Sequence, residues 1–335
     1  MTLPEKNSNR QPVANSDRKK VFVVEWITGG GLEYSGEVID VESSLYRQGL
    51  SMRTSVADDF VAAGHDVYVL VDSRDEHPCR EGIEFLTAGK DFRQTVCSTV
   101  TESDFVLVVA PECEGILLKC ADWLAGHSSK WLFPNRQFIE LCSNKRATIE
   151  FLDGQGIATP ASIAESKRWV VKPNDGCGSE GIRVIESGVE LNRYRQSRDW
   201  LVEPFVDGTP ASVSMIGGPT PTFLRPLRQC FATEPIGEFV EGVDDLNPAQ
   251  IEMALSLAQQ VCRSLPKTAG YFGIDMVIGE SHATAIEVNP RLTDSYSTLR
   301  KIHDFNLAER MLTCRSNQSR GQSRISALPD GRCGR

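Results

Sequence analysis

Four residues could act together: Asp275, Glu287, Asn289 and Arg291, in the run GYFGIDMVIGESHATAIEVNPRL over 270–292. The apolar, β-branched segments FGIDMVI and ATAIEVN flank a Gly-Glu-Ser turn and predict a hairpin. Its strand ends would bring both carboxylates and the amide together. Hard oxygen ligands of this kind suit Mg²⁺, which binds carboxylates and carbonyls and keeps substrate phosphates in its shell; Mn²⁺ takes the same ligands. Arg291 would offer those phosphates a planar fork of donors. A solvated hairpin with ordinary surface charges would carry the same short sequence, so the segments upstream decide between the two.

The first such segment is RWVVKPNDGCGSEGIRVIE over 168–186, a strand carrying Lys172, a tip with Gly176, Gly178 and Gly181, and a second strand. Glycines let backbone N–H groups approach phosphate oxygens, and a lysine at the strand end adds charge. The segment reads either as a phosphate-covering flap or as a plain hairpin loop. It fits neither GxxxxGK[ST] nor GxGxxG. Cys177 within it reads as a small residue in a turn, since a catalytic cysteine needs a histidine beside it. The second segment, WLVEPFVDGTPASVSM over 200–215, is a strand with an acidic break at Glu203 and Asp207. An apolar strand end can hydrogen-bond an adenine edge while Glu203 or Asp207 takes ribose hydroxyls. Asp207, followed by Gly208, is equally a turn residue.

Behind these segments stand the elements that must position them. VFVVEWI and DVYVLVD read as buried strands around a helix over 40–63, and DFVLVVA at 104–110 as another, giving an α/β unit. Ligands bind at strand C-terminal ends in open parallel sheets, which sets Gly29 to Gly31 and Glu112 at the mouth. The glycines, with Gly30 at the centre, serve a ligand or simply turn the chain; Glu112 and Glu114 face the mouth or complement a helix dipole. Glu25 interrupts an apolar strand, so it is paired or ligand-facing, because a lone buried carboxylate is costly. Residues 245–265 read as a helix capped by Asn247 with Pro248 at its first position. Arg225 and Arg228, in FLRPLRQCF, are surface arginines or receive a substrate carboxylate.

Taken in order, these pieces resemble the ATP-grasp superfamily of carboxylate-amine ligases over residues 143–300, beginning with SNKRATIEFLDGQGIATP. The resemblance implies an N-terminal Rossmann-like parallel-sheet domain followed by an ATP-grasp fold of two α+β subdomains clasping ATP. Lys145 and Lys172 would hold the phosphates, with the 174–181 loop, including Gly176, Gly178 and Ser179, closing over them. Val202, Glu203 and Phe205 would line the adenine pocket. Asp275, Glu287 and Asn289 would bind two Mg²⁺ ions, and Arg291 would stabilise the transferred phosphoryl group. Many members carry a ribose-binding glutamate where this chain has Thr209-Pro210-Ala211, which leaves Asp207 as the substitute. A narrower resemblance, carried by VFVVEWITGGG, APECEGIL, PLRQ, GYFGID and EVNPRLTDSY, is to the tyramine–glutamate ligases of methanofuran biosynthesis. Rival readings are a ligase for another amino acid or peptide, a small-molecule kinase, and an ATP-sensing module.

Composition bounds the rest. At 335 residues and 40% hydrophobic, the chain is long enough for two or three packed units. These are expected at 20–134 and 135–312, the latter with a flap at about 165–205, between a polar disordered start at 1–19 and a basic disordered tail at 313–335. A net charge of −9 argues against nucleic acid. Residues 1–19 lack the apolar core of a signal peptide, and no stretch is apolar enough to span a membrane. Ten cysteines without a CxxC indicate neither a zinc site nor a disulfide framework, and free thiols fit a reducing cytoplasm. Small-molecule substrates are the expected partners, and a homodimer is compatible with the composition.

Overall fold

A computed structural model describes residues 18–325 apart from 39, 75–78, 89–90, 164, 177–180, 187 and 233–238. The N-terminal unit opens with β1 (Lys20–Glu25), α1 (Gly31–Ser35) and α2 (Ser44–Ala62), followed by β2 (Asp66–Val71) and β3 (Ile83–Thr87). It continues through α3 (Phe92–Glu102), β4 (Phe105–Val109) and α4 (Ile116–Trp123). The four strands form one parallel sheet in the order β3-β2-β1-β4. β1 and β4 are buried almost end to end, as strands covered on both faces must be. β3 has none of its residues buried, which is why IEFLT carries no strong strand signal.

Two helices, α5 (Arg136–Cys142) and α6 (Lys145–Gly154), lead into the second unit, each capped by an asparagine side chain, Asn135 and Asn144. The flap follows as β5 (Trp169–Pro173), β6 (Arg183–Ile185), α7 (Gly188–Arg195) and β7 (Trp200–Pro204). Its antiparallel sheet, in the order β6-β5-β7, packs over a small core of its own around Val171, Ile185 and Leu191. The larger sheet is built from β8 (Thr209–Gly217), β9 (Thr222–Phe223), β10 (Leu227–Phe231) and β11 (Phe239–Val243). Helix α8 (Pro248–Ser264) intervenes, and β12 (Gly270–Ile278) and β13 (Ala283–Asn289) complete the sheet as the hairpin expected from the sequence. Asn247 and Gln250 form a reciprocal capping box on α8.

Alternation explains how this sheet serves a site. Ala211, Val213 and Met215 of β8, Ile274 and Met276 of β12 and Val288 of β13 share a core with Ala254, Leu257 and Val261 of α8. The intervening residues, among them Ser212, Ser214, Asp275, Glu287 and Asn289, are left to the opposite face. The chain then runs through α9 (Tyr296–Ile302) into α10 (Leu307–Ile325). α10 continues past the boundary expected at 313. Its first half buries Leu307, Ala308, Met311, Leu312 and Cys314, and Arg315 donates to the carbonyls of Ser128 and Ser129. The helix is thus anchored before its polar half begins, and propagation from an anchored turn costs little. The expected disordered start lies largely outside the described residues, as does the end of the basic tail. No described helix is long and apolar enough to cross a membrane.

Candidate active site

A cleft of about 400 Å³ lies between the flap sheet and the open face of the large sheet. Asp275 and Glu287 sit directly opposite each other in the β12–β13 register, with Asn289 two residues further on the same face. Like charges placed opposite in a ladder repel, so the pair needs a cation between or beside it. The ladder slips after Asp275, where Met276 pairs with Ala285 and leaves Ile286 as the extra residue of a bulge. That slip leaves the Ile286 carbonyl beside the cleft, where it accepts from Lys172 Nζ at 3.4 Å.

Each carboxylate has a defined environment. Asp275 accepts from Gln229 Nε2 at 3.0 Å and Asn289 Nδ2 at 2.9 Å. Burial and the facing Glu287 push its carboxyl up to about 7, against the pull of Asn289, Arg291 and Gln229. Glu287 is met by Lys145 Nζ at 2.6 Å. Lys145 opens α6, where a helix dipole disfavours a cation, so it depends on its acceptors: Glu287 and the Gly176 carbonyl of the flap base at 2.5 Å. The N-terminus of α6 also holds the flap, since Arg146 N donates to Asn174 Oδ1 at 3.0 Å. Lys172 and Glu203 lie diagonally across the β5–β7 ladder, both buried, and pair at 2.8 Å. The second carboxylate oxygen of Glu203 is buried with no partner, an acceptor that the amino group of an adenine would satisfy. Arg291 donates from Nε to Glu112 Oε2 at 2.6 Å. Burial pushes the Glu112 carboxyl up, but Arg291 and then Lys145 outweigh it and hold it below the usual carboxylate range.

No cluster of three or more His, Cys, Asp or Glu side chains among the described residues is arranged to hold a metal. A divalent cation would therefore rest on Asp275, Glu287 and the remaining oxygen of the Asn289 amide, completed by phosphates. That set fits Mg²⁺, which is usually bound through one or two carboxylates plus substrate oxygens.

The structure brings Lys145, Lys172, Gly176, Glu203, Phe205, Asp275, Glu287, Asn289, Arg291 and Glu112 to this one cleft. Other expected residues fall elsewhere. Val202 packs on the small flap core because strand alternation that turns Glu203 inward turns its neighbour away. Asp207 is exposed and paired with Arg168; Val206 and Gly208 line the cleft on either side, and the aspartate faces a second hollow beside His282. Arg225 and Arg228 pair with Asp244 and Asp245 outside the cleft, whereas Gln229, between Arg228 and the turn of the strand, reaches Asp275. Glu25 does not line the cleft: its carboxylate accepts from the N–H groups of Ile27 and Thr28 and the Thr28 hydroxyl. Gly30 occupies a left-handed turn at φ 99° before α1, near Phe92 and Asp72. Gly178 and Ser179, with Cys177, lie outside the described residues. Gln229, Asp294 and Ser295, which line the cleft, were given no role from the sequence, although they lie within the segments PLRQ and EVNPRLTDSY.

Comparison with known proteins gives this geometry a context. An ATP-grasp domain model matches residues 142–295, and a pre-ATP-grasp domain model matches 65–136. The tyramine–L-glutamate ligase of Methanocaldococcus jannaschii is 27% identical over 215 residues, 64% of this chain and 64% of that protein. The chain thus spans somewhat under two thirds of the length of that relative. Among solved structures, an ATP-grasp superfamily protein from Archaeoglobus fulgidus superposes with a TM-score of 0.70 at 20% identity, covering 88% of each chain. The L-amino acid ligase of Bacillus licheniformis gives a TM-score of 0.63 at 15% identity, covering 91% of this chain and 77% of that one.

Proposed function

We propose that the chain, which matches an ATP-grasp domain model over residues 142–295 and shares that fold, is an ATP-dependent ligase joining a carboxylate to an amine through an acyl phosphate. The observation that carries the reading is the facing pair Asp275 and Glu287, with Asn289 beside them, set in one cleft with Lys145, Lys172 and Arg291. An acidic pair opposed to three cations is what phosphate and a divalent ion together require. Phosphoryl transfer needs little covalent help from a protein and much positioning and charge.

In this reading Lys145 and Lys172 exchange their present carboxylate partners for phosphate oxygens of ATP, and Glu203 meets the adenine with its unpartnered oxygen. Mg²⁺, held by Asp275, Glu287 and Asn289, would neutralise charge on the phosphates. Arg291, held in place by Glu112, faces the oxygens of the phosphoryl group that the substrate carboxylate attacks. ADP leaves; the amine attacks the acyl carbon, the C–N bond forms, and the C–O bond to phosphate breaks. The flap, docked on the start of α6 through Asn174 and Gly176, would exclude the water that hydrolyses acyl phosphates. The similarity to the M. jannaschii enzyme makes L-glutamate and tyramine the first substrates to test, which would place the chain in methanofuran-type cofactor biosynthesis in the cytoplasm.

The test is ATP turnover to ADP in Mg²⁺ with L-glutamate, with and without tyramine, recording the product mass. ADP release that needs both substrates, with a mass equal to their sum less water, is the expected result. Glu287→Gln should lower turnover by about 10²-fold or more. ATP consumption that proceeds equally without any amine would overturn the ligase reading in favour of a kinase.

A further inference from the structure

The cleft reaches the N-terminal unit where Arg291 meets Glu112. Gln48 of α2 lines it, together with Asp294 and Ser295 from the turn between β13 and α9. Every other acid lining the cleft is partnered: Asp275 by two amides, Glu287 and Glu203 by lysines, Glu112 by Arg291. The Asp294 carboxylate accepts no hydrogen bond from any described residue; what the α9 turn takes from Asp294 is its backbone carbonyl, which receives the Ser297 hydroxyl. It is therefore not serving as a helix cap. Burial pushes this carboxyl up to about 6, with Arg291 pulling it down and Glu25 pushing it up. The Arg291 Nε–H is committed to Glu112, so Asp294 shares the charge of that guanidinium without receiving a hydrogen bond from it.

We propose that Asp294 receives an ammonium group of the substrates, making the cleft selective for a protonated primary amine. A single carboxylate has too few hard ligands for a divalent cation. An ammonium needs one anion and acceptors for its other N–H bonds, and Gln48 and Ser295, which also line the cleft, each carry an acceptor oxygen. The inference rests on the ligase reading for its place in a reaction, and two groups of the substrate pair have this chemistry: the acceptor amine, and the α-ammonium of an amino acid that supplies the carboxylate.

Calorimetric titration of the full chain with Mg²⁺-ADP present, using tyramine, L-glutamate and glutarate as probes, separates these sources. Asp294→Asn should weaken binding of the ammonium-bearing probe by about tenfold or more while glutarate and ADP bind as before, and Asp294→Glu should recover part of the loss. A loss confined to tyramine assigns the acceptor amine; a loss confined to L-glutamate assigns the α-ammonium. Equal affinities in the wild type and Asp294→Asn, or failure of the wild type to bind either ammonium probe, overturns the proposal. ATP turnover in the same preparations keeps the two ideas apart: a protein inert in ligating tyramine and L-glutamate that still loses ammonium affinity on Asp294→Asn sinks that substrate assignment and leaves this one standing.

Discussion

Asp275 and Glu287 face each other across one rung of the β12–β13 ladder, and the cost of that arrangement falls on Asp275, whose carboxyl is pushed up to about 7 by burial and by its neighbour. The folded chain therefore keeps a proton that an unfolded carboxyl releases near 3.8. Between those two values the native state binds more protons than the unfolded state, so stability without nucleotide or metal falls as pH rises from about 4 to about 7. Asp275→Asn should thus be more stable than wild type at pH 8, match it more closely at pH 5, and lose turnover at both. Denaturant melts of the two proteins at those pH values check this, and a wild type that holds its stability from pH 5 to 8 as the variant does would count against it. Above neutral pH, where Asp275 is ionised, Mg²⁺ with nucleotide should also stabilise the wild type most.

Within elements, the side of a strand or helix decides which residues matter, and here the sequence was only partly legible. The runs FGIDMVI and ATAIEVN predicted a hairpin that brings Asp275, Glu287 and Asn289 together, and the structure has that hairpin. Val202, expected beside Glu203, packs on the flap core, and Gln229, next to Arg228, is the residue that reaches Asp275, because neighbouring positions on a strand face opposite sides. The partner of Arg291 was beyond reading by pattern: Glu112 lies 179 residues away, and only the packing of the two units joins them. Glu25 was legible as a buried acid but not as one satisfied by its own turn. Its carboxylate in turn constrains α2, where a Cβ built on Gly49 would stand 2.7 Å from Glu25 Oε2. In an exposed helix Gly→Ala gains about 1 kcal/mol; here Gly49→Ala should instead cost about 1–3 kcal/mol, since the carboxylate is pinned by three hydrogen bonds. In a Glu25→Ala background the same change should turn neutral or stabilising. Thermal melts of the double-mutant cycle test the coupling, and additive effects would remove Glu25 as the cause.

At the scale of the whole molecule the two units share a core, although the sequence suggested a division near residue 134. Tyr271, Leu292, Tyr296, Leu299, Leu307 and Met311, all from the second half, belong to the same buried cluster as Val23, Phe60 and Leu107 of the N-terminal unit. Polar contacts reinforce it: Asp59 of α2 accepts from Tyr296 at 2.7 Å and from Arg300 at 2.5 Å, just downstream of the loop that carries Arg291 and Asp294. Gly270, at φ 84°, lets β12 pass so close to Phe133 that a Cβ would come within 2.5 Å of its carbonyl carbon. Units joined in this way should unfold together, with the flap, resting on its own small core, opening first. Met311→Ala, at a fully buried position on α10, is expected to cost about 2–5 kcal/mol. Because α10 packs on α2 and on β8 and β12 at once, hydrogen exchange in β1 and β4 should accelerate by the same factor as in β12 and β13. Were the units independent, only one set of strands would lose protection, and the clasp between Glu112 and Arg291 would then join two bodies free to separate. A common loss would mean that Arg291, its carboxylate clamp and the candidate ammonium site are held at fixed spacing by one cooperative core.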